Sequence, residues 1–185
     1  PGVSGYAAVL GQRGADLVAI AEDESLADYS TDAYAGTLTN AIKSREPYGV
    51  LLASSPNGRD LAARVAGRLE LGLTGDCVGL EVDDKGRLVQ LKPAFGGSVV
   101  APIYSRTLPN MATVRAGVLP SLTLEPGRQA AVIQLDPARN VTARVRHIEK
   151  IDANLGDVAG LDSAWAVIGI GNGVGGAEFL AEVDP

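Results

Sequence analysis

Side chains able to carry acid–base or nucleophilic chemistry are sparse in this chain. His147 is its one histidine and Cys77 its one cysteine. A catalytic triad needs a nucleophile, a base and a group that orients the base. The one imidazole falls in the alternating run 141–148 (VTARVRHI), which predicts a strand with Arg144 and Arg146 on its polar side. Between Arg146 and Ile148, His147 reads as a surface or internally satisfied strand residue. Cys77 lies in an apolar stretch and reads as a small buried side chain. One Cys and one His cannot assemble a zinc site. Asp83, Asp84 and Asp136 sit in turn-like segments without clustering, and no G-x-x-x-x-G-K-[ST] phosphate loop is present. Hydrolytic or group-transfer chemistry by the chain's own side chains is therefore not expected. Any reaction it joins would draw its chemistry from a bound cofactor.

The segment that fits a cofactor is near the end. Residues 164–170 (AWAVIGI) predict a buried strand, followed by Gly171-Asn172-Gly173-Val174-Gly175-Gly176 and a helical start at Ala177-Glu178-Phe179-Leu180. Strand, glycine turn and helix place backbone N–H groups and a positive helix end before a phosphate. Gly171, Gly173 and Gly176 satisfy G-x-G-x-x-G, where a Cβ would block the approach of a pyrophosphate. The same spacing also serves a plain strand-to-helix turn. The acidic residue that would separate the two readings belongs about 20 positions further on, beyond Pro185. The chain opens with Pro-Gly-Val and closes with Glu-Val-Asp-Pro, a turn or two into that helix, and so reads as part of a longer protein.

The elements that must hold such a turn follow from hydrophobic patterning. Apolar runs at 15–21 (ADLVAIA) and 48–54 (YGVLLAS) predict buried parallel strands. Each is followed by a helical pattern, at 33–43 behind the capping residues Ser30-Thr31-Asp32 and at 59–69 with Leu61, Val65 and Leu69 on one face. That alternation is the βαβ pattern of a parallel sheet. The loop Ser54-Ser55-Pro56-Asn57-Gly58 then lies at the carboxyl end of the sheet, where an anion would sit at Asn57 and Gly58. Alternatively Ser55 or Asn57 caps the helix and Arg59–Asp60 is a solvated pair. Beyond residue 70 the pattern turns antiparallel. A strand at 73–81, a hairpin turn at Asp83-Asp84-Lys85-Gly86, a return strand at 87–91 and a bend at 94–97 are followed by strands at 98–104, 111–116, 128–135 and 141–148. Residues 156–161 read as a linker.

Composition narrows the class. A net charge of −6 without a basic run excludes sequence-independent binding to nucleic acid or an anionic membrane surface. No apolar stretch is long enough to span a bilayer, so membrane insertion is not expected. A single cysteine allows no internal disulfide and fits a cytosolic compartment.

Four blocks then carry a resemblance. They are Asn57-Gly58-Arg59-Asp60-Leu61-Ala62 through Arg68-Leu69, Gly72-Leu73-Thr74-Gly75-Asp76-Cys77, Lys92-Pro93-Ala94-Phe95-Gly96-Gly97, and Met111-Ala112-Thr113-Val114-Arg115-Ala116-Gly117-Val118. In this order and spacing the chain resembles the alpha subunit of electron transfer flavoprotein, from about Gly14 onward. The resemblance implies a Rossmann-like three-layer α/β domain over residues 1–160, with a mainly parallel sheet plus an antiparallel section. Its first strands would be missing, and residues 161–185 would begin a second, FAD-binding α/β domain. It implies FAD as cofactor and a beta subunit of related fold as partner. Electrons would come from acyl-CoA or related dehydrogenases, as in fatty acid oxidation, and pass to a quinone oxidoreductase or another acceptor. The location would be the cytoplasm of a bacterium or the mitochondrial matrix of a eukaryote. It maps the flavin turn onto Gly171, Asn172 and Gly173, with Asn172 where many members carry an arginine. A fixed positive charge there favours the anionic reduced flavin, so its replacement by a neutral hydrogen-bond donor lowers the expected potential. Two alternatives remain open from the residues alone. One is a nicotinamide-dependent oxidoreductase using the turn 171–176; the other is an adenine-nucleotide-binding module with its ligand at Asn57–Gly58.

Overall fold

The computed structural model describes residues 2–139, 141, 144–145, 148–149, 164–171, 173 and 175. It divides into two units, Pro1–His147 and Ile148–Pro185. The first unit is α/β. After a 3-10 turn come α1 (Ala7–Gln12), β1 (Leu17–Ile20), α2 (Thr31–Arg45), β2 (Gly49–Ala53), α3 (Pro56–Leu69), β3 (Leu73–Cys77), β4 (Gly79–Val82), β5 (Leu88–Ala94), β6 (Val99–Ile103), β7 (Asn110–Val114) and β8 (Ala131–Gln134). The strands form a parallel pair β1–β8, a parallel sheet β2–β7–β3 and an antiparallel sheet β4–β5–β6.

The two long helices form where the periodicity predicts them, and their ends have local causes. α2 begins after Ser30 and stops at Glu46, which turns left-handed (φ 45) and returns its N–H to the Ile42 carbonyl ahead of Pro47. α3 starts three residues earlier than Arg59 because Pro56 suits the first helical position and Ser55 caps it, accepting from the Gly58 N–H at 3.1 Å. The helices pack together over β7. Ala35, Ile42, Val65, Ala66 and Met111 are buried there, flanked by Leu38, Val50, Leu52, Leu61 and Leu73. Gly58 lets α3 press onto β2: a Cβ there would lie 1.9 Å from the Ala53 carbonyl oxygen.

The structure departs from the sequence expectation in three places. The expected strand at 73–81 is two strands. The β3–β7 register shifts between Thr74 and Cys77, where Asp76 adopts φ 58, and Val78 then donates to the Leu91 carbonyl. The antiparallel character ends at β6. β7 lies between β2 and β3 and runs parallel to both, and β8 pairs parallel with β1. Alternation within one strand does not say which neighbour it will find, and burial of β7 on both faces decided it. The run 164–170 forms no strand; Trp165, Val167 and Ile168 are exposed. The described residues offer that run no partner strand, and an unpaired apolar segment has no ladder to join. Of the expected strand at 141–148, residues 142, 143, 146 and 147 lie outside the described residues, as do the linker 156–161 and the helical start at 177–180.

The antiparallel sheet is tied to the parallel one by polar contacts. Lys92 Nζ donates to the Gly75 carbonyl at 2.7 Å, and the Tyr48 hydroxyl both donates to the Gly86 carbonyl and accepts from the Leu88 N–H. Among the described residues no helix is long and apolar enough to cross a membrane.

Candidate functional site

The carboxyl ends of β2, β7 and β3 bring together side chains that are far apart in sequence. Ser54 follows β2, Arg59 is in the first turn of α3, Asp76 sits at the register shift of β3, and Arg115 follows β7. Asp76 Oδ1 accepts from Ser54 Oγ at 3.1 Å, Arg59 Nη2 at 3.3 Å and Arg115 Nε at 3.3 Å; Oδ2 accepts from Arg115 Nη2 at 2.5 Å. The Asp76 N–H donates to Thr113 Oγ1 at 2.8 Å rather than along the ladder. Arg59 is braced a second time, its Nε donating to Ser54 Oγ at 2.9 Å and to the Ser54 carbonyl at 3.1 Å. The Arg115 hydrogen bond, followed by that from Ser54 and the charges of both arginines, holds the Asp76 carboxyl at about 2 despite the opposing effect of burial.

A second polar group lies along α2 and α3. Asp32 is buried and accepts from Arg68 Nη2 at 3.2 Å and from Arg144 Nη2 at 2.8 Å, with the Arg144 N–H also donating to it. The Arg144 hydrogen bonds keep its carboxyl at about 2. Asp60 accepts from Tyr29 and Thr31 hydroxyls at 2.7 and 2.5 Å. A groove of about 590 Å³ runs beside them, lined by Asp60, Ala63, Arg64, Gly67, Arg68 and Arg144.

These contacts settle the β2–α3 loop. Ser55 is the cap, and Arg59 and Asp60 do not form a solvated pair: Arg59 goes to Asp76 and Asp60 to two hydroxyls. Asn57 and Gly58 open α3 as expected, with the Gly58 N–H already committed to Ser55. Cys77 is wholly buried, and burial pushes its thiol pKa up, against any nucleophilic use. His147 lies outside the described residues. Among those described, no group of three or more His, Cys, Asp or Glu is placed to hold a metal.

The glycine turn belongs to the second unit. Gly171 and Gly173 are exposed, and Asn172 lies outside the described residues. A Cβ built on Gly171 or Gly173 would meet no atom within 4 Å. Among the described residues, nothing packs against the place a Cβ would take at either position.

The sequence placed Asp32 among the capping residues of α2 and Asp76 and Arg115 within the resemblance blocks, without a site role for any of them. The available signal was positional: Arg115 directly follows β7, and Asp76 is the one charged residue within β3. For Asp32 the pairing with Arg144 spans 112 residues, and no local pattern announces it.

The family model described as "Electron transfer flavoprotein domain" matches residues 2–140. The chain is 36% identical over 166 residues to the "Electron transfer flavoprotein subunit alpha" of Thermoanaerobacterium thermosaccharolyticum, covering 89% of this chain and 50% of that protein. It is 42% identical over 125 residues to "Protein FixB" of Bradyrhizobium diazoefficiens, covering 67% and 34%. Over 164 residues it is 34% identical to the "Lactate dehydrogenase (NAD(+),ferredoxin) subunit LctC" of Acetobacterium woodii, covering 87% and 38%. The chain spans about half the length of the alpha-subunit relative, or less in the other two cases.

Proposed function

The chain belongs to the electron transfer flavoprotein family, and from that membership we propose that it is the alpha subunit of a heterodimeric electron carrier that binds FAD. The observation that carries the reading is the match over residues 2–140 together with relatives named as alpha subunits. The first unit serves as a scaffold for a beta subunit of related fold. Residues 161–185, within the second unit, begin the flavin domain, with Gly171, Asn172 and Gly173 at the cofactor. When bound, FAD would supply the electron transfer, and the chain's residues bind and orient it. Gly171 and Gly173 admit the dinucleotide by lacking a Cβ. Asn172 offers the flavin a neutral donor. Electrons would enter from an acyl-CoA or related dehydrogenase and leave to a quinone oxidoreductase or another acceptor, in the cytoplasm of a bacterium. The sparse catalytic inventory agrees with a carrier that performs no substrate chemistry of its own.

The test is the visible spectrum of the full-length gene product co-purified with its beta partner, followed through reductive titration. Bound, reducible FAD is the expected result; a stable heterodimer without flavin would refute the reading. In the same protein Asn172→Ala should shift the flavin potential. An unchanged potential removes Asn172 from the flavin's surroundings while leaving FAD binding untouched.

A further inference from the structure

We propose that the carboxyl edge of the β2–β7–β3 sheet is a site for a phosphate-type oxyanion whose resident occupant is the chain's own Asp76 carboxylate. The place is the one where open α/β sheets take their ligands, outside the carboxyl ends of parallel strands. The donors there are those of an anion site. Arg59 and Arg115 guanidiniums and the Ser54 hydroxyl all point to one spot, and every one of them donates to Asp76. Arginine forks match carboxylate and phosphate alike.

The charge count shows that the carboxylate is a partial substitute. Two guanidiniums on one carboxylate leave the cluster with an excess positive charge, which a phosphate dianion would cancel. Both arginines keep an open side: their side chains are 59% and 50% exposed, while Asp76 between them is 28% exposed. The backbone is bent to put the carboxylate there. Asp76 stands at φ 58, a left-handed conformation that costs a non-glycine residue, at the point where the strand register slips. Its N–H is turned away from the ladder to Thr113.

The variant that empties the site is Asp76→Gly in the full-length protein, because glycine takes the left-handed conformation freely and the bend is kept. Affinity for inorganic phosphate is measured by isothermal titration at constant ionic strength, with chloride as reference. The wild type is expected to show no saturable binding. Asp76→Gly is expected to bind phosphate at least about tenfold more tightly than the wild type, and Asp76→Gly with Arg115→Gln to lose that gain. A folded Asp76→Gly that prefers phosphate no more than chloride overturns the proposal, and so does a wild type that binds phosphate equally well. Should the variant not fold, phosphate is titrated against its helical circular dichroism at fixed ionic strength. Recovery of the signal supports an anion site; no recovery means Asp76 is only a structural ion-pair partner.

Discussion

Two glycines in one helix should respond to alanine with opposite signs. Gly58, in the first turn of α3, would place its new Cβ 1.9 Å from the Ala53 carbonyl oxygen and 3.2 Å from Ser55 Oγ. The closest tolerable separation is 3.0 Å, so α3 must move from β2 by about 1 Å. Ala53 O is backbone and cannot rotate aside. The move strains the interface by about 1–3 kcal/mol and loosens the Ser55 cap, worth about 1 kcal/mol. Against this stands the helix preference of alanine over glycine, at most about 1 kcal/mol. The net for Gly58→Ala is a loss of about 1–3 kcal/mol, or roughly 2–12 °C in Tm for a chain of this size. Gly67 lies two turns or so along the same helix, exposed, with nothing within 4 Å of its Cβ position. Gly67→Ala should therefore stabilise by about 0.5–1 kcal/mol. Urea unfolding followed by circular dichroism measures both. Equal signs for the two variants, or a stabilised Gly58→Ala, would refute the close approach of α3 to β2.

Met111 is wholly buried in β7. Met111→Ala should cost about 2–5 kcal/mol, read from the same urea midpoints. Asp32 and Asp76 have carboxyls held at about 2 against an ordinary value of 3.8. A depressed folded-state pKa gives stability that is complete above the unfolded value and is lost as pH falls through the folded one. Stability should thus decline between about pH 4 and pH 2. Asp32→Asn should flatten that decline; an unaltered acid profile would count against the Arg144 contact. Cys77, buried with its thiol pKa raised, should resist a disulfide reagent in the native protein and react at once in denaturant. Rapid native labelling would contradict its burial.

The βαβ alternation was readable because each run carries its own period. Leu17–Ile20 and Gly49–Ala53 are apolar throughout, and α2 and α3 repeat their apolar residues at helical spacing. The hairpin at 83–86 was readable for a similar reason: Asp83 binds its own turn, accepting from the N–H groups of Lys85 and Arg87. The places of β7 and β8 were not readable, since strand pairing is a choice among distant partners and the winning contact leaves no local mark. The same holds at the carboxyl edge, where Ser54, Arg59, Asp76 and Arg115 meet only once three strands lie side by side. By itself the sequence determined the βαβ alternation, the 83–86 hairpin and the family to which they belong, because those depend on residue type and spacing along the chain. Only the tertiary structure decided which strands pair and which charges meet, because those free energies arise between groups that the backbone holds far apart until it folds.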